Sequence, residues 1–150
     1  MDASQVFSFA NGLVLPAWAI LILAPRWRVG RDVLAGMVFP LALGLLYSVM
    51  FVMHLGSAPE GAGFGSLEGV KAFMSVDWLL LVAWVHFLAF DLFIGAWEVR
   101  DAQRVGVHHL IVVPCLLLTF MAGPGGLALY LLVRGLWKKR WSVQELETAS

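Results

Sequence analysis

The chain has 150 residues, ten basic against ten acidic side chains and a mean hydropathy of +0.85. With 61% hydrophobic and 13% charged residues it is no ordinary soluble domain, and a zero net charge gives no reason to expect nucleic acid as a partner. Cys115 stands alone, which excludes an intrachain disulfide and marks a packing residue rather than a nucleophile. The expected class is an all-α, multispanning membrane helix bundle of four hydrophobic segments, about 6–24, 33–55, 78–99 and 108–134. They form one domain, 1–141, followed by a polar C-terminal tail, 142–150. The opening MDASQ lacks the basic region of a cleavable signal peptide, so the first segment is expected to stay in the mature protein.

Segment one carries Asn11 and Pro16. A proline is tolerated in a membrane helix when neighbours satisfy the carbonyl it frees. Asn11 is expected to donate a hydrogen bond to another helix. Ala24-Pro25 ends the segment. The following RWRVGRD reads as a loop, its three arginines marking the cytoplasmic side.

Segment two holds Pro40 and Gly44, both expected to kink it, then Tyr47, Ser48 and His54. Tyr47 and His54 are seven apart and share a face; His54 reads as an interfacial residue. The Gly-rich stretch 56–65 resists regular structure. It carries no Gly-Lys-Ser/Thr, so it is not a phosphate loop. From Ser66 a short amphipathic helix is expected, capped by Ser66, with Leu67, Val70, Phe73 and Met74 toward the membrane surface.

Segment three says most. Trp78 to Trp97 spans about 30 Å at 1.5 Å per residue, one bilayer core. Yet it contains His86 and Asp91, and a carboxyl at that depth costs about 2.5–3.5 kcal/mol. Such a group turns toward protein or a cavity. At about 100° per residue, with His86 at zero, Asp101 falls near about 60°, Glu98 near about 120° and Asp91 near about 140°. This one arc is therefore expected to face the bundle. Trp97 suits the headgroup level, and Arg100 and Arg104 mark the cytoplasmic end.

Segment four runs from His108-His109 and is broken by Gly123-Pro124-Gly125-Gly126. Four full crossings divide the basic residues five against five. A re-entrant turn at Gly123 would put all but Lys71 on one side, in agreement with the positive-inside rule. Four crossings are the working expectation and the re-entrant hairpin the rival. The tail from Arg134 is expected to fray into solvent.

Three chemistries compete for these polar groups. Glu98, Asp101, His108 and His109 lie close along the chain and are metal-ligand candidates, although no Glu-x-x-His or His-Glu-x-x-His spacing is present. His86 and Asp91 are candidates for general acid–base catalysis inside the membrane. Trp84, Phe87, Phe90 and Tyr47, with Phe93 beside them, are candidates for binding a long apolar ligand, its polar end near an ionisable group. No cofactor is assigned.

The run His86-x-x-x-x-Asp91-Leu92-Phe93, with Asp101, His108-His109, Cys115-Leu116-Leu117 and the later Gly-Pro turn, resembles the signature of the abscisic-acid-deficient-4-like family of integral membrane proteins. The Leu15-Pro16 and Ala24-Pro25 pairs are compatible with it. The resemblance covers about residues 5–134 and implies a small multispanning protein linked to carotenoids. Its plant members serve the conversion of violaxanthin to neoxanthin, an isomerisation of an epoxide to an allenic alcohol. By that resemblance His86, Asp91, Asp101 and His109 are the carried-over candidates.

The expected function is thus binding or isomerase-like conversion of a carotenoid or isoprenoid. The alternative is a non-catalytic structural or assembly subunit of a larger membrane complex. The expected partners are the lipid bilayer, a carotenoid ligand, and a second copy or another membrane protein. The compact length points to a bacterial inner (cytoplasmic) membrane.

Overall fold

The computed structural model describes residues 2–138, and within them the chain is an all-α bundle. Helix α1 is Ala3–Leu23. Asp2 caps it by accepting from the Gln5 amide while the Gln5 side chain accepts from the Asp2 amide, a reciprocal capping box. The helix runs through Pro16 and closes at Ala24.

The second long helix starts earlier than the charged RWRVGRD predicts. Val29–Val38 is wound as a π-helix and passes directly into α2, Phe39–His54, then a 3-10 turn, Leu55–Ser57. The arginines do not hold this stretch open as a loop because Arg31 is taken inward. Its guanidinium grips Asp32 at 2.5 Å, bonds Gln103 of the third long helix, and reaches the Pro25 carbonyl at 3.4 Å. Pro40 falls at the start of α2, where a missing amide costs little. Helix α3, Leu67–Met74, is capped by Ser66 through the Gly69 amide, and it turns Phe73 inward rather than to the surface.

Helix α4, Asp77–Val105, is the axis of the bundle and packs against every other helix described here. It ends where Gly106 adopts φ +75°, a left-handed cap that lets the Val107 amide bond the Ala102 carbonyl at 2.8 Å. Gly95 lies against the Trp18 indole of α1, so the absence of a side chain there allows the two helices to approach. The buried core joins Val14, Trp18 and Leu21 of α1 to Val85, Leu92 and Val99 of α4 and to Val112 and Leu116 beyond.

Segment four is two helices, α5, His109–Ala122, and α6, Pro124–Lys138. They form an antiparallel hairpin. Its tip, Gly123, lies against Asp91 of α4. Thr119 of α5 meets Glu98, and Tyr130 and Arg134 of α6 both return to Asp101. The chain therefore turns back at the Gly-Pro-Gly-Gly stretch instead of continuing past it in one straight helix. Gly123, at φ +27°, supplies the bend, and Gly126 seats directly on Thr119. Among the described residues three helical stretches are long and apolar enough to cross a membrane, Ala3–Leu23, Val29–Ser57 and Asp77–Val105; α5 is too short. Arg134, assigned by sequence to the fraying tail, is instead fully buried. The expected polar tail 142–150 lies outside the described residues.

Candidate functional site

Along α4 one stripe recurs at helical spacing: Leu80, Trp84, Phe87, Asp91, Glu98 and Asp101. The hairpin covers only the lower half of it, from Asp91 onward. There Glu98 is 0% and Asp101 2% exposed. Above the tip the stripe is bare, with Trp84 at 42% and Phe87 at 52%. The single inward-facing arc read from the sequence is thus correct for Glu98 and Asp101 and wrong for His86. A helix that is half covered by a short hairpin has two different buried faces along its length.

The bare half forms one wall of a groove of about 480 Å³ between α1 and α4. Trp84, Phe87 and Leu80 face Phe7 across it, and Ser4 and Asp77 mark its far end. The Phe7 and Trp84 rings stand 5.7 Å apart. Asn11 holds the indole in place by accepting from Trp84 Nε1 at 3.3 Å, and its own amide donates to the Phe7 carbonyl at 2.7 Å. The expected link from Asn11 to another helix exists, with Asn11 as acceptor. Asp91 lies one turn past Phe87, half-buried against the hairpin tip, with no hydrogen bond or ion pair among the described residues.

His86 is exposed and boxed by rings. It stacks on Phe90 at 4.5 Å and meets Tyr47 and Phe87 edge-on at 5.8 and 5.9 Å. Phe87 and Phe90 lie between it and Asp91 around the helix, so the two candidate catalytic groups do not form a contacting pair. Tyr47 and Phe90 therefore belong with His86, while Trp84 and Phe87 line the groove. Phe93 is exposed on the His86 side of α4.

Beneath the tip, polar groups fasten the hairpin. Glu98 accepts from the Thr119 hydroxyl at 3.0 Å. Asp101 accepts from Tyr130 at 2.6 Å, Arg134 at 2.7 Å and Arg104 at 2.5 Å. Asp101 is thus filled by one hydroxyl and two guanidinium donors, while Glu98 shares the single Thr119 hydroxyl between its two oxygens. His108 caps α5, and His109 Nε2 sits 2.9 Å from the Ile22 carbonyl. The four metal-ligand candidates are thereby drawn apart, and no group of three ligating side chains that could hold an ion occurs among the described residues. Sequence reasoning missed Tyr130 and Arg134. Their spacing of four, on one face just past a helix break, is the signal that they share a buried partner.

Comparison with known proteins comes to the same family as the sequence motifs. A family model described as ABA DEFICIENT 4-like matches residues 5–130. A curated relative, the chloroplastic protein ABA DEFICIENT 4 of Arabidopsis thaliana, is 26% identical over 125 residues, covering 77% of this chain. The chain spans 56% of that relative's length. The relative is chloroplastic, so the bacterial inner membrane expected from chain length draws no support from it. No solved structure matches.

Proposed function

We propose, from the premise that this chain belongs to the ABA DEFICIENT 4-like family, that it holds a carotenoid or related isoprenoid within the membrane and acts on its polar end. The observation that supports this reading is the bare upper stripe of α4. It offers a groove walled by Trp84, Phe87 and Phe7, and an unpartnered carboxyl group, Asp91, one turn below. Aromatic faces pack a polyene over a large area, and one convergent polar group fixes its register. From Leu80 to Asp91 the stripe is about 16 Å long at 1.5 Å per residue, enough for several isoprene units.

Isomerising an epoxide to an alcohol moves one proton to oxygen and removes one from a neighbouring carbon. Asp91 can serve both steps in turn, donating as the acid and then accepting as the carboxylate, with no net proton change. His86, on the Tyr47 side of α4 beyond the Phe87 and Phe90 rings, lies outside this groove and takes no part in the proton transfer.

The test is addition of an epoxy-xanthophyll to the detergent-purified chain, reading bound pigment per protein and its absorption spectrum over time. Trp84→Ala or Phe87→Ala should weaken retention about tenfold, as loss of an aromatic contact of roughly 1.5 kcal/mol implies. Asp91→Asn should retain pigment but leave its spectrum unchanged. Equal retention by the wild type and both aromatic variants would sink the binding reading. Conversion by Asp91→Asn at the wild-type rate would sink the chemical one. A stoichiometric protein partner without pigment would favour the assembly-subunit alternative.

A further inference from the structure

At the opposite end of the bundle from the aromatic groove is a larger cleft of about 1090 Å³. It lies between the α1 exit at Ile22–Trp27, the last turns of α4, and the α4–α5 connection. Its lining contains Arg26, His108 and His109 and no aspartate or glutamate. Part of its polar surface is already committed. Gln103 donates to the Pro25 carbonyl at 2.7 Å and accepts from Arg31, which fixes the connection after α1 as one wall. His109 is engaged with the Ile22 carbonyl.

The uncommitted polar side chains are donors. Arg26 is exposed and makes no hydrogen bond or ion pair among the described residues. His108 Nδ1 accepts from the Leu110 amide, so its proton sits on Nε2, where it is free to be given. The Trp27 indole is half exposed. Beside these donors the rim is apolar, with Leu23 at 81% and Leu110 at 73% exposure. Among the side chains, uncommitted donors and no carboxylate line this space, next to bare aliphatic side chains. The complement of that surface is an acceptor-rich anion attached to a hydrocarbon chain.

We propose that this cleft is a binding site for the phosphate headgroup of an amphiphile, with Arg26 and His108 as its principal donors. A guanidinium and an imidazole N–H give charge-assisted bonds to phosphate oxygens. Leu23 and Leu110 carry the first carbons of the acyl or prenyl chain. The site lies at the end of the bundle that also holds Arg28, Arg31, Arg100 and Arg104, where basic pockets between membrane helices take anionic lipid headgroups. It shares no residue with the aromatic groove, so its failure and that of the pigment-binding reading are separable.

The experiment is native mass spectrometry of the full chain in detergent, titrated with phosphatidylglycerol and, in parallel, phosphatidylcholine. One phosphatidylglycerol should be retained per chain, at least tenfold more strongly than phosphatidylcholine. Arg26→Gln combined with His108→Ala should lose that preference. Arg26→Lys should keep most of it, and pigment retention should be unchanged in every variant. Displacement of the lipid by millimolar inorganic phosphate would assign recognition to the phosphate alone; its failure to displace would assign it to the whole amphiphile. Equal retention of the two lipids, or wild-type phosphatidylglycerol retention in the double variant, overturns the proposal. Because Arg26 is exposed and unpaired, Arg26→Gln alone keeps the test available should the double variant fail to fold.

Discussion

Replacing Asp101 by Ala should release the α5–α6 hairpin, and the lone cysteine reports the event. Asp101 is 2% exposed and accepts from Tyr130, Arg134 and Arg104. Arg134 is itself 2% exposed, so the variant removes one half of a buried ion pair. Breaking a buried pair from one side costs about 3–5 kcal/mol. At about 1.4 kcal/mol per decade this raises the open population roughly 100- to 4000-fold. Cys115 on α5 is 0% exposed, and a buried thiol reacts in proportion to that population when closing outpaces labelling. Modification by a small membrane-permeant maleimide should therefore accelerate by two to three decades. Arg104→Ala removes a partner whose side chain is 29% exposed, and should change the rate less than about fivefold, in keeping with about 1 kcal/mol for a solvated pair. Asp101→Leu combined with Arg134→Met should recover most of the protection, since both charges of the buried pair are then removed together. Wild-type labelling of Asp101→Ala, or equal effects at Asp101 and Arg104, would refute the role given to this cluster.

Three further outcomes follow from the geometry. Thr119→Val withdraws the hydroxyl that Glu98 accepts from and should cost about 1–3 kcal/mol, visible as a lower melting temperature, whereas Thr119→Ser should be close to wild type. Gly123→Ala meets both the unusual φ of +27° and the Asp91 carboxylate, and should destabilise by about 1–3 kcal/mol. Gly125→Ala, with its nearest atoms at 3.9 Å, should stay within about 0.5 kcal/mol in the same melt. Gly95→Ala forces a methyl into the Trp18 ring and should separate α1 from α4, read as a red-shifted tryptophan emission; an unshifted spectrum would count against that packing.

The long apolar runs made the bundle legible because each stretch needs only length and hydropathy to declare itself. The break at Gly123–Gly126 was equally legible, and the excess of arginine at one end favoured a return over a crossing. What the sequence did not disclose was consequent on that return. A hairpin of half height splits the exposed face of α4 into a covered and a bare half, which no angular plot of α4 alone can contain. Arg134 looked like a stop at the membrane surface because an arginine after an apolar run usually is one; its burial depends on Asp101, 33 positions earlier. Arg31 was read into a loop for the same reason, while its partners Gln103 and Pro25 lie on other parts of the chain. Of the site, the aromatic spacing of Trp84 and Phe87 was readable, whereas the one arc that grouped His86 with Asp91 was too broad, since the two lie about 140° apart around α4.

The hairpin tip that stops beside Asp91 also gives the molecule a sidedness. On the proposed reading, a hydrophobic guest in the arginine-poor leaflet would meet the open flanks of α1 and α4, while one in the opposite leaflet would meet α5 and α6. Entry and departure would then favour a single monolayer, and the rate at which guests flip between monolayers would set how much of the membrane's supply the protein reaches.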